Sequence, residues 1–203
     1  SANVVIHTGA KPVMVDINPD DFNVSVEAIR KAITPRTMVI MPVDIAGFPC
    51  DYEAIYAIVN DPVIREQFQA NSAYQKQLGR ILVAADAAHS FGATYQGKRS
   101  GALADVSCFS FHAVKNLTTA EGGTISVNLP DSFDHEAIYM ELCILILHGQ
   151  SKDALAKAQK GNWRYDVEEP GYKCNMTDIQ AAIGLVELER FQENLRSEEH
   201  MSE

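Results

Sequence analysis

RILVAADAAHSFGATYQGKRSG (80–101) and DVSCFSFHAVKNLTTAEGGTISVN (105–128) decide the fold of this chain. Each begins with a short apolar run of strand length that breaks off at polar or glycine-bearing residues. The spacing predicts strands over 80–86, 105–111 and 123–128, with Gly122 and Gly123 permitting a tight return into the last of them. Working outward, TMVIMPV (37–43) reads as a buried strand and PVMVDI (12–17) as a shorter one. Helices fall between them. Ser25 caps a helix with Val26, Ile29 and Ile33 on one face and Pro35 as its stop, and Asp51 caps another that runs through Ile55 and Val59 to Pro62. Residues 63–79 and 134–148 are helical by pattern. Thr177 opens a long helix in which Gln180 completes a capping box, and Ile179, Ile183 and Val186 are expected to form its inner stripe. Strands separated by helices predict an α/β fold whose central, mostly parallel sheet is covered by helices on both faces.

Composition narrows the function. With 203 residues and 46% hydrophobic content, the chain can bury a substantial core. A net charge of −10 excludes a basic surface for nucleic acid, so no nucleic-acid partner is expected. The longest apolar run, LCILIL (142–147), is too short to cross a bilayer, and the N-terminal residues show no signal-peptide pattern. Cys50, Cys108, Cys143 and Cys174 are far apart without a CxxC pair, which predicts reduced cytoplasmic thiols and neither a disulfide framework nor a metal site. The chain has no initiator Met and reads as a piece of a longer protein.

The α/β pattern gives two residues a shared address. Ligands of open α/β sheets bind beyond the carboxyl ends of the strands. Asp86 closes ILVAAD there, and Lys115 follows the strand ending FSF on a short loop. A lysine amine able to condense with an aldehyde, together with a carboxylate able to keep a pyridine nitrogen protonated, is the pair that pyridoxal phosphate chemistry requires. Taken singly, Asp86 could equally be a turn residue, and most lysines are simply solvated. His89, three residues beyond Asp86, is within reach of the same ligand. Ser110 offers a hydroxyl for phosphate but could as well be a solvent-facing strand serine, whereas Thr118 and Thr119 read as turn-stabilising.

GAKPVMVDINPDDFNV, ITPRTMVIMPVDIAGFPCD, DAAHSFGATYQGKRSG, FSFHAVKNLTTAEGG and PGYKCNMTDIQAAIGL resemble, in this order, the DegT/StrS family of sugar aminotransferases, which are fold type I pyridoxal phosphate enzymes. The resemblance runs from about residue 3 to about residue 192. It implies that Lys115 is the cofactor-bound lysine, Asp86 the partner of the pyridine nitrogen, His89 the residue against the ring, and Ser110 a phosphate ligand. It also implies that Asn175 reaches the phosphate of a neighbouring subunit, hence a homodimer with shared active sites. The implied reaction transfers an amino group, with glutamate as donor, to a keto sugar carried by a nucleotide.

Several positions depart from the family pattern. Its members begin upstream with a phosphate-binding helix and continue into a small C-terminal domain, so 1–203 is expected to be a partial cofactor-binding large domain. Ala120 stands where glycine is common, a change expected to affect only loop flexibility. Cys174 replaces an aromatic residue or Arg before Asn175, the usual Arg before His148 and Gly149 is missing, and 61–80 looks like a surface insertion. Alternatives stay open: an inactive fragment of such an enzyme, or another fold type I enzyme. A sugar dehydratase would carry His in place of Lys115, a cysteine desulfurase would need a mobile Cys such as Cys174, and an aminobenzoate synthase-like relative is the third.

Overall fold

A computed structural model describes residues 1–151 and 164–201. Its elements are α1 (Ala2–His7), α2 (Val26–Ala32), β1 (Val39–Ile40), α3 (Tyr52–Val59), α4 (Pro62–Gln67), α5 (Ala73–Leu78), β2 (Leu82–Asp86), β3 (Thr94–Tyr95), β4 (Lys98–Arg99), β5 (Val106–Ser110), β6 (Gly123–Val127), α6 (His135–Ile146) and α7 (Asp178–Met201). The main sheet has the order β1-β2-β5-β6, and β3 and β4 form a separate small hairpin. β1, β2 and β5 are parallel, with Val39 opposite Leu82 and Asp86 opposite Cys108, while β6 returns antiparallel along β5. Because β6 runs backwards, the loop between β5 and β6 lies at the carboxyl end of β2, where the sequence placed its two central residues.

The caps form as their residue types dictate. The Ser25 hydroxyl accepts the Ala28 N–H, Asp51 accepts that of Ala54, and Thr177 and Gln180 close a reciprocal box at α7. Strand 37–43 shrinks to β1 because Pro42 offers no N–H to a ladder, and pairing resumes only as a bridge between Val43 and Asp86. Residues 63–79 divide into α4 and α5. Asp61 with Pro62 starts the first, Ser72 caps the second, and left-handed Gly79 ends it.

Two expectations are overturned. Residues 12–17 form no strand: Ile17 makes one antiparallel bridge to Val24 across a turn, and Val13 and Met14 lie exposed with no neighbouring strand. The expected inner stripe of α7 points outward, with Ile179, Ile183 and Val186 exposed at 76%, 42% and 53%. Its inward side instead carries Gln180, which bonds the Glu121 carbonyl, and Phe191, which is 5% exposed.

The core is one-sided. Ile55, Ile58 and Val59 of α3 pack with Ile29 of α2 against Ile81, Val83, Ala85 and Phe109. Full burial of each large side chain contributes about 1.5–3 kcal/mol. The opposite face of β2 and β5 carries Leu82, Ala84, Asp86, Cys108 and Ser110, none of them fully buried. Asp86 and Ser110 therefore share the open face by strand alternation.

Candidate active site

Asp86 ends β2, half-buried, directly opposite Cys108 of β5. Its carboxylate accepts hydrogen bonds from the Ser1 hydroxyl and, at 3.3 Å, from the Ala88 N–H. Desolvation, and then the negative charge of Asp86, raise the Cys108 thiol pKa even though Cys108 is exposed as a residue. Beyond Asp86 the chain turns through Ala87–Phe91, with the Ser90 N–H bonded to the Ala87 carbonyl at 3.0 Å.

Lys115 lies in the loop that joins β5 to β6. Phe111 and Gly122 close its base through a 2.8 Å backbone bond, and His112 Nε2 lies 3.4 Å from Glu121 across its mouth. Thr118 and Thr119 stabilise the turn as expected, the first donating to the Phe111 carbonyl and the second to that of Glu121. Ala120 sits at φ 64°, in the left-handed region that costs an L side chain about 1–2 kcal/mol, so its effect is local strain and not a change of flexibility alone. Lys115 is half-buried, its N–H bonds the His112 carbonyl at 2.9 Å, and its amino group has no hydrogen-bond or ion-pair partner among the described residues.

A cleft of about 300 Å³ brings His89 and Lys115 together, along with Ala46, Val114, Asn116 and Leu195. Aromatic packing anchors the turn that carries His89. The Phe91 ring meets Phe109, Phe111 and Phe191 edge-on at centroid distances of 5.5, 5.6 and 5.3 Å. Gly92, at φ +84°, is required there, because a Cβ would lie 2.5 Å from the Phe191 ring. Phe191 thus seats α7 on the turn that carries His89, and Leu195, one helical turn later, reaches the cleft.

Asp86 precedes that turn but does not line the cleft, and neither do Ser110 and Asn175. Ser110 accepts the His112 N–H at 3.3 Å, at the start of the lysine loop. Asn175 is bonded to the Lys173 amine and to the Met176 carbonyl. Sequence reasoning missed Asn116, whose side chain donates to the Phe91 carbonyl at 2.9 Å, and also missed Ala46 and Leu195. Adjacency to Lys115 was the available signal for Asn116.

The sequence profile of the DegT/DnrJ/EryC1/StrS aminotransferase family matches residues 1–203. The chain belongs to this family. It is 37% identical over 203 residues to the spore coat polysaccharide biosynthesis protein SpsC of Bacillus subtilis, covering 100% of this chain and 46% of that protein. It is 39% identical over 201 residues to the GDP-perosamine synthase of Caulobacter vibrioides, covering 99% and 46%. Among solved structures, the putative sugar aminotransferase Spr1654 from Streptococcus pneumoniae in its PMP form superposes with a TM-score of 0.87 at 50% identity, covering 94% of this chain and 47% of that one. The chain spans about half the length of the relatives it matches. The fold is that of fold type I pyridoxal phosphate sugar aminotransferases, present in part.

Proposed function

We propose that the full-length protein is a pyridoxal phosphate-dependent aminotransferase that moves an amino group, from glutamate as donor, to the keto sugar of a nucleotide-sugar, in amino-sugar or polysaccharide biosynthesis. The observation that carries this reading is the cleft shared by Lys115 and His89 at the carboxyl end of β2, immediately beyond Asp86. The residues fit such a cofactor. The amine of half-buried Lys115 has no competing partner among the described residues, and a strand-end carboxylate that accepts a hydroxyl hydrogen bond stands on the open face. The site's pyridoxal phosphate would supply an aldehyde for the amino group and a protonated ring to withdraw electrons. Asp86 would hold the proton on the pyridine nitrogen. His89 would pack against the ring from the cleft wall, Ser110 would bind its phosphate, and Asn175 would reach the phosphate in the neighbouring subunit. Lys115 would anchor the cofactor and, once released, carry a proton between the donor α-carbon and the cofactor's C4′ carbon.

The relatives support the substrate class: one is a GDP-perosamine synthase, and another a spore coat polysaccharide biosynthesis protein. None of the four cysteines lines the cleft, which favours amino transfer over desulfuration. Residues 1–203 would form the cofactor-binding part of the protein, completed by segments elsewhere in its length. The outward apolar face of α7 (Ile179, Ile183, Val186) and the place of Asn175 off the cleft fit a homodimer in which each subunit completes the other's site. Free thiols at Cys50, Cys108, Cys143 and Cys174 fit the cytoplasm, and no described helix is long and apolar enough to cross a membrane.

The test supplies the full-length protein with pyridoxal phosphate, 15N-glutamate and a nucleotide-linked keto sugar. Appearance of 15N on the sugar, lost in Lys115→Ala, is the expected result. Undiminished transfer by Lys115→Ala would refute the reading.

A further inference from the structure

β1 and β2 both lead into a strand-end aspartate, and only the second has a role so far. Asp44 follows MVIMPV (38–43) just as Asp86 closes ILVAAD, but its side chain is sealed, at 1% exposure. Its Oδ1 accepts the Cys50 N–H at 3.0 Å and the Tyr52 hydroxyl at 2.9 Å, and its Oδ2 accepts the Ser90 hydroxyl at 2.6 Å. No cationic side chain pairs with it among the described residues. Burial and Asp44 together push the Cys50 thiol up to about 12 and raise the Tyr52 hydroxyl as well, so both neighbours stay neutral donors. A buried acid held only by neutral donors is a poor source of stability compared with apolar packing. What the acid does supply is a fixed geometry.

That geometry is the turn carrying His89. The Asp44 N–H donates to the Asp86 carbonyl at 3.1 Å, which ties the two strand ends together. Asp44 Oδ2 then holds Ser90, the residue after His89, which is fully buried. Between these two points Gly47, at φ +85°, lets the 44–50 loop pass so close that a Cβ there would lie 2.9 Å from the His89 carbonyl oxygen. From the other side Asn116, next to Lys115, holds the Phe91 carbonyl. The turn is therefore pinned on both flanks of His89, while the His89 side chain is left exposed on the cleft wall.

We propose that Asp44, acting through Ser90, is a positioning residue that sets His89 against the cofactor ring and holds Asp86 in register with it. This rests on the pyridoxal phosphate reading above. It makes cofactor affinity depend on a carboxyl group that never reaches the cofactor. Asn at 44 would keep an acceptor for Cys50 and Tyr52 but present an amide to Ser90, and Ala at 90 would remove the same link from its other end.

The experiment titrates pyridoxal phosphate into the full-length protein and reads the visible absorption of the lysine-bound form. Asp44→Asn and Ser90→Ala should each raise the dissociation constant by about tenfold, the lower end of the loss that removal of an outer partner causes at metal sites. The double variant should bind no worse than the weaker single one, since one link is removed twice. Asp105→Asn, which disrupts another buried carboxylate at the far end of the sheet, is the control. It should lower the melting temperature at least as far yet leave the dissociation constant within about twofold. Wild-type affinity in both Asp44→Asn and Ser90→Ala would overturn the proposal, as would an equal loss in Asp105→Asn. No binding by the unsubstituted protein would overturn the cofactor reading itself, and the positioning role with it.

Discussion

The two ends of β2 are built on opposite principles. At its start, Arg80 grips Asp105 with two bonds of 2.7 Å. The same carboxylate accepts the Val83 N–H at 2.9 Å and the Tyr56 hydroxyl at 3.0 Å, while Arg80 lies 5.3 Å above the Tyr56 ring. Every group there is paired, and the Arg80 and Asp105 side chains are only 10% and 3% exposed. At the other end, four residues past Leu82, Asp86 is half-buried, His89 is exposed and the Lys115 amine has no described partner. One end locks strands β2 and β5 together; the other keeps its polar groups available to a ligand. The difference teaches that titratable groups along a single strand can be sorted by how completely their bonds are satisfied.

Substitutions can break this contrast. The largest expected effect is at the available end, where Lys115→Ala should reduce transamination to background with little change in melting temperature. Asp86→Ala should lower kcat by about 10²–10³-fold, the scale on which a preorganised charge supports a reaction. The locked end should answer in the other currency. Asp105→Ala leaves Arg80 buried without its partner and should cost about 3–5 kcal/mol, read by urea unfolding. Phe191→Ala tests the seam between α7 and the cleft. Loss of a buried ring there should cost about 3 kcal/mol and also weaken cofactor binding, because Phe91 would lose one of its three edge contacts. Ala120→Gly is the smallest, relieving the left-handed strain of the lysine loop and stabilising the protein by about 1 kcal/mol.

Legibility in the sequence followed the range of the interactions. Local signals were readable: the caps at Ser25, Asp51 and Thr177, the strand ending at Asp86, and the loop bearing Lys115 all follow from neighbours in the chain. Residues 12–17 alternate like a strand, but a strand also needs a partner, and pattern alone does not supply one. The stripe Ile179, Ile183 and Val186 has helical spacing, yet the surface met by the first turn of α7 is the polar edge of the lysine loop, so Gln180 faces inward and these three residues outward. Asp44 and Ser90 are 46 positions apart, and nothing local links them. The shared form of the two strand ends, an apolar run stopped by Asp, was the one visible hint.

The most direct test of the central claim is borohydride reduction of the full-length protein loaded with pyridoxal phosphate, followed by peptide mass mapping. The account predicts a single reduced adduct on Lys115. An adduct on another lysine, with Lys115 unmodified, would contradict it.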